Sequence, residues 1–70
     1  MKLTGESLGE RLANARPRRI TQNDAARALG VSRMTIWNWE NGESRPTEAH
    51  LAKLAAFYGV ELAELLGKGA

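Results

Sequence analysis

The sequence contains no cysteine, only one histidine and no long apolar run. Without cysteine the chain can form no disulfide framework, no cysteine-based metal site and no thiol nucleophile. No apolar stretch approaches the roughly 18 residues that a membrane span requires. The first ten residues also lack the apolar segment of a signal peptide. We therefore expect a cytoplasmic protein that does not associate with a membrane.

Catalytic machinery is equally scarce. His50 is the one histidine, and no acidic residue stands four positions before or after it. The sequence has no glycine-rich phosphate loop, no cluster of metal ligands and no nucleophile with a neighbouring base. We expect a protein that is not an enzyme and uses no metal, cofactor or small-molecule ligand. His50 is then interpreted as a surface residue.

What the sequence does contain is typical of one small globular domain. Its 70 residues are 43% hydrophobic and 26% charged, which predicts a single domain over 1–70, with a core at about 7–66 and a frayed tail at 67–70. Seven arginines lie between residues 11 and 45, against three acidic residues. Such a basic segment suits a polyanion, although an ordinary solvated surface explains it equally well.

Apolar residues recur at helical spacing along the whole sequence, and no strand-like alternation persists. Thr21 and Ser32 are good N-caps, and Gly30 supplies a residue that tolerates positive φ after a helix. Pro17 and Gly59 are expected to end helices. These signals predict five helices, at about 7–16, 22–29, 32–41, 47–58 and 60–66.

Both tryptophans fall in the third of these helices, two residues apart. On a helix, positions 37 and 39 point about 200° apart, so the two rings cannot share one environment. Trp39 falls on the same side as Ile36, and this side is predicted to face the core. The opposite side is predicted to face outward, and it carries Arg33, Met34, Trp37, Asn38 and Asn41.

The second and third helices, with a short turn holding Gly30, have helix-turn-helix spacing. The following segments make the helix-turn-helix pattern more specific than the spacing alone: Thr21-Gln22, Ala26, Leu29-Gly30-Val31-Ser32, Thr35-Ile36, Glu40-Asn41-Gly42 and Pro46. On these residues the chain resembles the phage repressor and Cro type of helix-turn-helix domain, from about Leu8 to Leu66. The resemblance implies an all-α, compact five-helix bundle of the lambda-repressor-like type. It also implies a sequence-specific transcriptional regulator, a repressor, that inserts helix 3 into the major groove of double-stranded DNA and acts as a homodimer on paired half-sites.

The resemblance also assigns roles to residues. Family positions matching Arg33, Met34 and Asn38 carry base contacts, and the outward face adds Trp37. Arginine pairs with guanine and asparagine with adenine. In the family, the glutamine at the position of Gln22 clamps the DNA backbone. Further phosphate contacts are expected at Asn23, Ser32, Thr35, Asn41 and Arg45. Arg16 and Glu40 match a family pair that forms an internal ion pair between helices 1 and 3.

Three alternatives stay open at this point. The face with Met34 and Trp37 suits either DNA, as a contact to a thymine methyl or to the sugar-phosphate wall, or a protein partner. The rival function is therefore a protein-interaction module of the same fold, an antitoxin or a coactivator-like bridging domain. Thr35 points partly inward and suits the core as well as DNA. The leucines of the fifth helix are either core or dimer contact: Leu62, Leu65 and Leu66.

Overall fold

The computed structural model describes residues 7–67, and within that range the chain forms five short α-helices and no strand. Their bounds are α1 Leu8–Ala15, α2 Gln22–Leu29, α3 Arg33–Glu40, α4 Glu48–Tyr58 and α5 Leu62–Leu66. The all-α, five-helix architecture predicted from the sequence is confirmed. No helix among the described residues is long and apolar enough to cross a membrane.

Hydroxyl side chains start four of the five helices. Each of them accepts a hydrogen bond from the backbone N–H three residues later, which satisfies a donor that the first turn leaves unpaired. The four residues are Ser7, Thr21, Ser32 and Thr47. At α2 the cap is reciprocal, because Asp24 accepts from the Thr21 backbone N–H at 3.0 Å. These hydrogen bonds with Thr21 lower the pKa of Asp24.

Glycines in the left-handed conformation end α2 and α5. Gly30 has φ of 74°, and Gly67 has φ of 73°, a region that residues with a Cβ rarely enter. Gly67 donates its N–H to the carbonyl of Glu64 at 3.3 Å, so it ends α5 in an ordered turn. The rest of the predicted frayed tail, residues 68–70, lies outside the described residues.

One apolar core joins all five helices. Its buried side chains are Leu12, Ile20, Ala25, Ala26, Ile36, Trp39, Leu51, Leu54, Ala55, Tyr58 and Leu65. Leu65 is fully buried, whereas Leu62 and Leu66 are partly buried and pack against the core. For Leu65 the core alternative is therefore the correct one. Among the helices, α3 packs chiefly against α1 and α2, so this pair supports the helix that carries both tryptophans.

Candidate nucleic-acid interface

The position of α3 follows from its two ends and its buried side. Gly30 turns the chain after α2, and the Ser32 hydroxyl then accepts from the Thr35 N–H at 3.1 Å to start α3. Ile36 and Trp39 are 1% and 5% exposed. These two side chains fix the rotation of α3 about its own axis, because turning it would expose them. The opposite side of the helix consequently faces solvent.

That opposite side, the reading face, is defined by positions 33, 34, 37, 38 and 41. Arg33, Met34, Trp37 and Asn41 are exposed, and Asn38 is partly buried at the margin. Met34 and Trp37 are 57% and 40% exposed, unusually high for large apolar side chains. The two tryptophans are thus separated into core and surface, as the helical periodicity predicts.

Two of the residues expected at phosphates lie together at the start of α3. The hydroxyl oxygens of Ser32 and Thr35 are 3.0 Å apart, so these side chains are hydrogen-bonded to each other. Asn23 and Arg45 are exposed. The Asn41 side chain donates through Nδ2 to the carbonyl of Trp37 at 2.9 Å, which leaves its amide oxygen as an acceptor.

Gln22 stands in a different environment from these. Its side-chain Nε2 donates to Glu40 Oε1 at 3.0 Å, and the residue is partly buried. The first residue of α2 is thereby tied to the last residue of α3. Sequence patterns do not predict this contact, because the two positions lie 18 residues apart.

Glu40 is the centre of a hydrogen-bonded network. Arg16 Nε donates to Glu40 Oε2 at 2.9 Å, and Arg16 Nη2 donates to Oε1 at 3.4 Å. The side chains of Arg16 and Glu40 are 23% and 6% exposed. A further bond runs from Arg16 Nη1 to the carbonyl of Ile20 at 2.8 Å. The hydrogen bond with Glu40 raises the pKa of Arg16. The network joins the end of α1, the connector, α2 and α3, and it neutralises the one acidic side chain of α3.

The sequence profile of the helix-turn-helix family matches residues 11–65, which include all of α2, α3 and α4. The chain belongs to the helix-turn-helix family. The resemblance read from Thr21-Gln22 through Pro46 is confirmed, and α2 and α3 are the helix-turn-helix pair.

Two curated relatives match the chain over 46 and 49 residues. The chain is 41% identical over 46 residues to an uncharacterized helix-turn-helix-type transcriptional regulator of Methanocaldococcus jannaschii, which covers 66% of this chain and 70% of the relative. It is 39% identical over 49 residues to the transcriptional repressor RstR of the cryptic phage CTXphi from Vibrio cholerae, covering 70% of this chain and 44% of the relative. No solved structure gives a significant match.

The helix-turn-helix pair depends on a residue that sequence reasoning missed. Gly9 lies buried in α1. A Cβ atom added there would stand 2.7 Å from the Glu40 carbonyl oxygen and 2.9 Å from that of Trp39. The end of α3 therefore approaches the backbone of α1 directly. A glycine inside an amphipathic helix was the available signal, since it costs about 1 kcal/mol against alanine and is usually retained for packing.

His50, which the sequence predicts to lie at the surface, is partly buried, and its ring centroid lies 5.0 Å from that of Trp39. The Thr47 hydroxyl accepts from the His50 backbone N–H at 3.1 Å. His50 therefore supports the core side of α3. Among the described residues, no group of three or more histidine, aspartate or glutamate side chains is placed to hold a metal ion.

Proposed function

We propose that this protein is a sequence-specific, DNA-binding transcriptional regulator that acts as a repressor. The observation that carries the proposal is the reading face of α3, which is exposed, bears Arg33, and has no acidic side chain turned toward solvent. Membership of the helix-turn-helix family supports DNA as the partner. Both relatives are named as transcriptional regulators, and one of them as a phage repressor.

In this proposal α3 enters the major groove and reads base edges. Arg33 donates two hydrogen bonds to the O6 and N7 of guanine, and Asn38 pairs with the N6 and N7 of adenine. Arg33 is exposed, and Asn38 is partly buried at the margin of the face. Met34 and Trp37 lie beside them and complete the base-contacting set.

Phosphate contacts would hold the domain in register on the duplex without reading sequence. We assign them to Gln22, Asn23, Ser32, Thr35, Asn41 and Arg45. Gln22 begins α2, where unpaired N–H groups and the helix dipole attract an anion. Its side-chain amide bound to Glu40 fixes that helix start relative to α3. The hydroxyls of Ser32 and Thr35 stand at the corresponding start of α3.

We further propose that two copies of the chain bind paired half-sites. A two-fold related pair of α3 helices fits half-sites about 34 Å apart, one turn of the duplex. Leu62 and Leu66 on α5 are partly exposed and are available for a contact between copies, whereas the fully buried Leu65 is not.

The test begins with selection of bound sites from random DNA, read by sequencing. We expect an enriched motif with two-fold symmetry. In the Arg33→Ala variant, affinity for the selected duplex should fall by about 1–3 kcal/mol, with relaxed preference at one base pair. Arg18→Ala is the matched control, because Arg18 is exposed on the connector and its loss should weaken all duplexes equally. Equal losses on selected and random DNA for Arg33→Ala would contradict its role in base reading.

The exposure of Met34 and Trp37 favours one second candidate, a protein-interaction module of the same fold. Salt dependence separates the two functions. Binding through phosphates weakens steeply with salt, with log K falling about 0.9 per log unit of salt for each neutralised phosphate. A contact centred on Met34 and Trp37 with a protein would respond far less, because apolar burial is not screened.

A further inference from the structure

Met34 and Trp37 form an exposed apolar pair on the reading face of α3. They are three residues apart, so their side chains are neighbours on the helix surface. Their exposed fractions are 57% and 40%. Among residues 7–67 the other large apolar side chain with such exposure is Phe57, which lies on α4. The apolar pair is therefore a local feature of the reading face and does not extend into a wider hydrophobic surface.

The charges around the apolar pair favour a polyanion as its occupant. Arg33 is exposed on the same face, four residues before Trp37 and so its neighbour on the helix surface. The acidic side chain of α3, Glu40, is 6% exposed and accepts hydrogen bonds from Arg16 and Gln22. Within α3, positive charge is thus presented on the face of the pair, and the one acidic side chain is held away from it. A DNA duplex fits this arrangement of charge and apolar surface, because phosphates line the rims of its groove and base edges form the floor.

The hydrogen-bonding capacity of the apolar pair is too small to read base edges through donors and acceptors. Tryptophan offers one N–H donor, and the methionine sulfur is a weak acceptor. In the major groove the bases present donors, acceptors and one apolar group, the C5 methyl of thymine. Contact with that methyl is the favourable interaction open to these two side chains in the groove, because it removes apolar surface from water.

We propose that Met34 and Trp37 read thymine methyl groups, so that the half-site carries thymine next to the base pair contacted by Arg33. The inference rests on the proposed function and specifies what its site recognises. Positions 34 and 37 lie on one side of α3, about 4.5 Å apart along the helix axis. The apolar pair can therefore cover methyl groups on neighbouring base pairs.

The experiment removes the methyl groups from the DNA and leaves the protein unchanged. A duplex carrying the selected site is prepared in versions with each thymine replaced singly by deoxyuridine, which keeps every hydrogen bond of thymine and lacks its methyl. We expect the unmodified chain to lose about fourfold in affinity at one or two positions in each half-site, the value for one buried methyl-sized group. At the other thymines affinity should not change.

Protein variants then assign each methyl to a side chain. Met34→Ala and Trp37→Ala should each abolish the response to deoxyuridine at one position. Arg33→Ala is the matched control on the same face, and it should bind more weakly while keeping that response. Both apolar side chains are exposed, so the helical circular dichroism of the two alanine variants should match that of the parent chain.

The outcomes separate this inference from the function on which it rests. If the unmodified chain binds its selected site with full affinity when any thymine is replaced, the methyl-reading inference is wrong and the DNA-binding function stands. Alanine variants that retain affinity, site preference and the deoxyuridine response would likewise overturn it. If selection enriches no site at all, the proposed function itself fails.

Discussion

Replacement of Arg16 by methionine tests the network that supports the helix-turn-helix pair. Glu40 accepts three hydrogen bonds, at 2.9 and 3.4 Å from Arg16 and at 3.0 Å from Gln22. Methionine keeps most of the apolar length of the side chain and removes both bonds from Arg16 to Glu40, together with its bond to the Ile20 carbonyl. A carboxylate that is 6% exposed would then keep only the amide of Gln22 as a partner.

The expected loss is large for a domain of this size. Stranding one member of a buried ion pair costs about 3–5 kcal/mol. Arg16 is itself 23% exposed, so water can partly replace it, and we expect about 3 kcal/mol. At roughly 0.05–0.15 kcal/mol per residue, the whole stability of 70 residues is about 3.5–10 kcal/mol. Arg16→Met should therefore leave the domain marginally folded at room temperature.

Urea denaturation measures this loss, and a second substitution tests its cause. Glu40→Gln in the Arg16→Met background removes the stranded charge and keeps an acceptor for Gln22. The double variant should be more stable than Arg16→Met alone, with a coupling of about 0.5–3 kcal/mol in the mutant cycle. Arg18→Met, at an exposed arginine of the same connector, is the control and should change stability by less than about 0.5 kcal/mol.

Two results would refute this reasoning. One is a loss below about 1 kcal/mol for Arg16→Met, which is the range of solvent-exposed ion pairs. The other is a double variant no more stable than Arg16→Met, because the loss would then not come from a stranded charge on Glu40.

Three further changes have defined outcomes. In urea denaturation, Gly9→Ala should lower the free energy of unfolding by about 1 kcal/mol, because a clash of about 1–3 kcal/mol with the end of α3 outweighs the helix propensity gained. A variant more stable than the parent chain would contradict the close approach of α1 and α3. Gln22→Ala should remove about 1.5 kcal/mol of stability, since it deletes a hydrogen bond to a carboxylate. It should also lower the affinity for the selected and the random duplex by the same factor. A loss confined to the selected duplex would contradict the phosphate role. Burial and nearby Glu40 raise the pKa of Tyr58 from 10.0 to about 12. The neutral phenol therefore contributes fully to the stability of the fold below pH 10, and this contribution is lost as the pH rises toward 12. In thermal melts, the melting temperature of the Tyr58→Phe variant should fall less over that pH window than that of the parent chain. Equal falls in the two melting temperatures would contradict the raised pKa of Tyr58.

The structure also explains why some residues were predictable. The caps at Thr21 and Ser32 and the turn at Gly30 depend on residues within four positions, so local chemistry indicates them correctly. Ile36 and Trp39 are assigned to the core by periodicity alone, since a helix has a fixed angle per residue. The contact of Arg16 with Glu40 spans 24 residues, and it was expected only through resemblance to the family.

Other features lay beyond this reasoning because they depend on how helices approach one another. Gly9 looks unremarkable until the carbonyl oxygens of Trp39 and Glu40 are placed beside it. The contact between the rings of His50 and Trp39 depends on how α4 packs beside α3. The hydrogen bond from Gln22 to Glu40 forms only because α2 and α3 pack together in the fold. Periodicity predicts which face of one helix is buried, whereas these contacts depend on the distance between two helices.

The sequence by itself determined five helices, the caps at Thr21 and Ser32 and the division of α3 into a core side and a reading face. Each of these follows from backbone hydrogen bonding and from the 3.6-residue period, which are local. Only the tertiary structure decided how α3 is held. It set the backbone contact at Gly9, the burial of Glu40 with its three hydrogen bonds, and the exposure left to Met34 and Trp37. Those quantities depend on close packing of helices distant in sequence, and a single helix carries no information about its neighbours' distance.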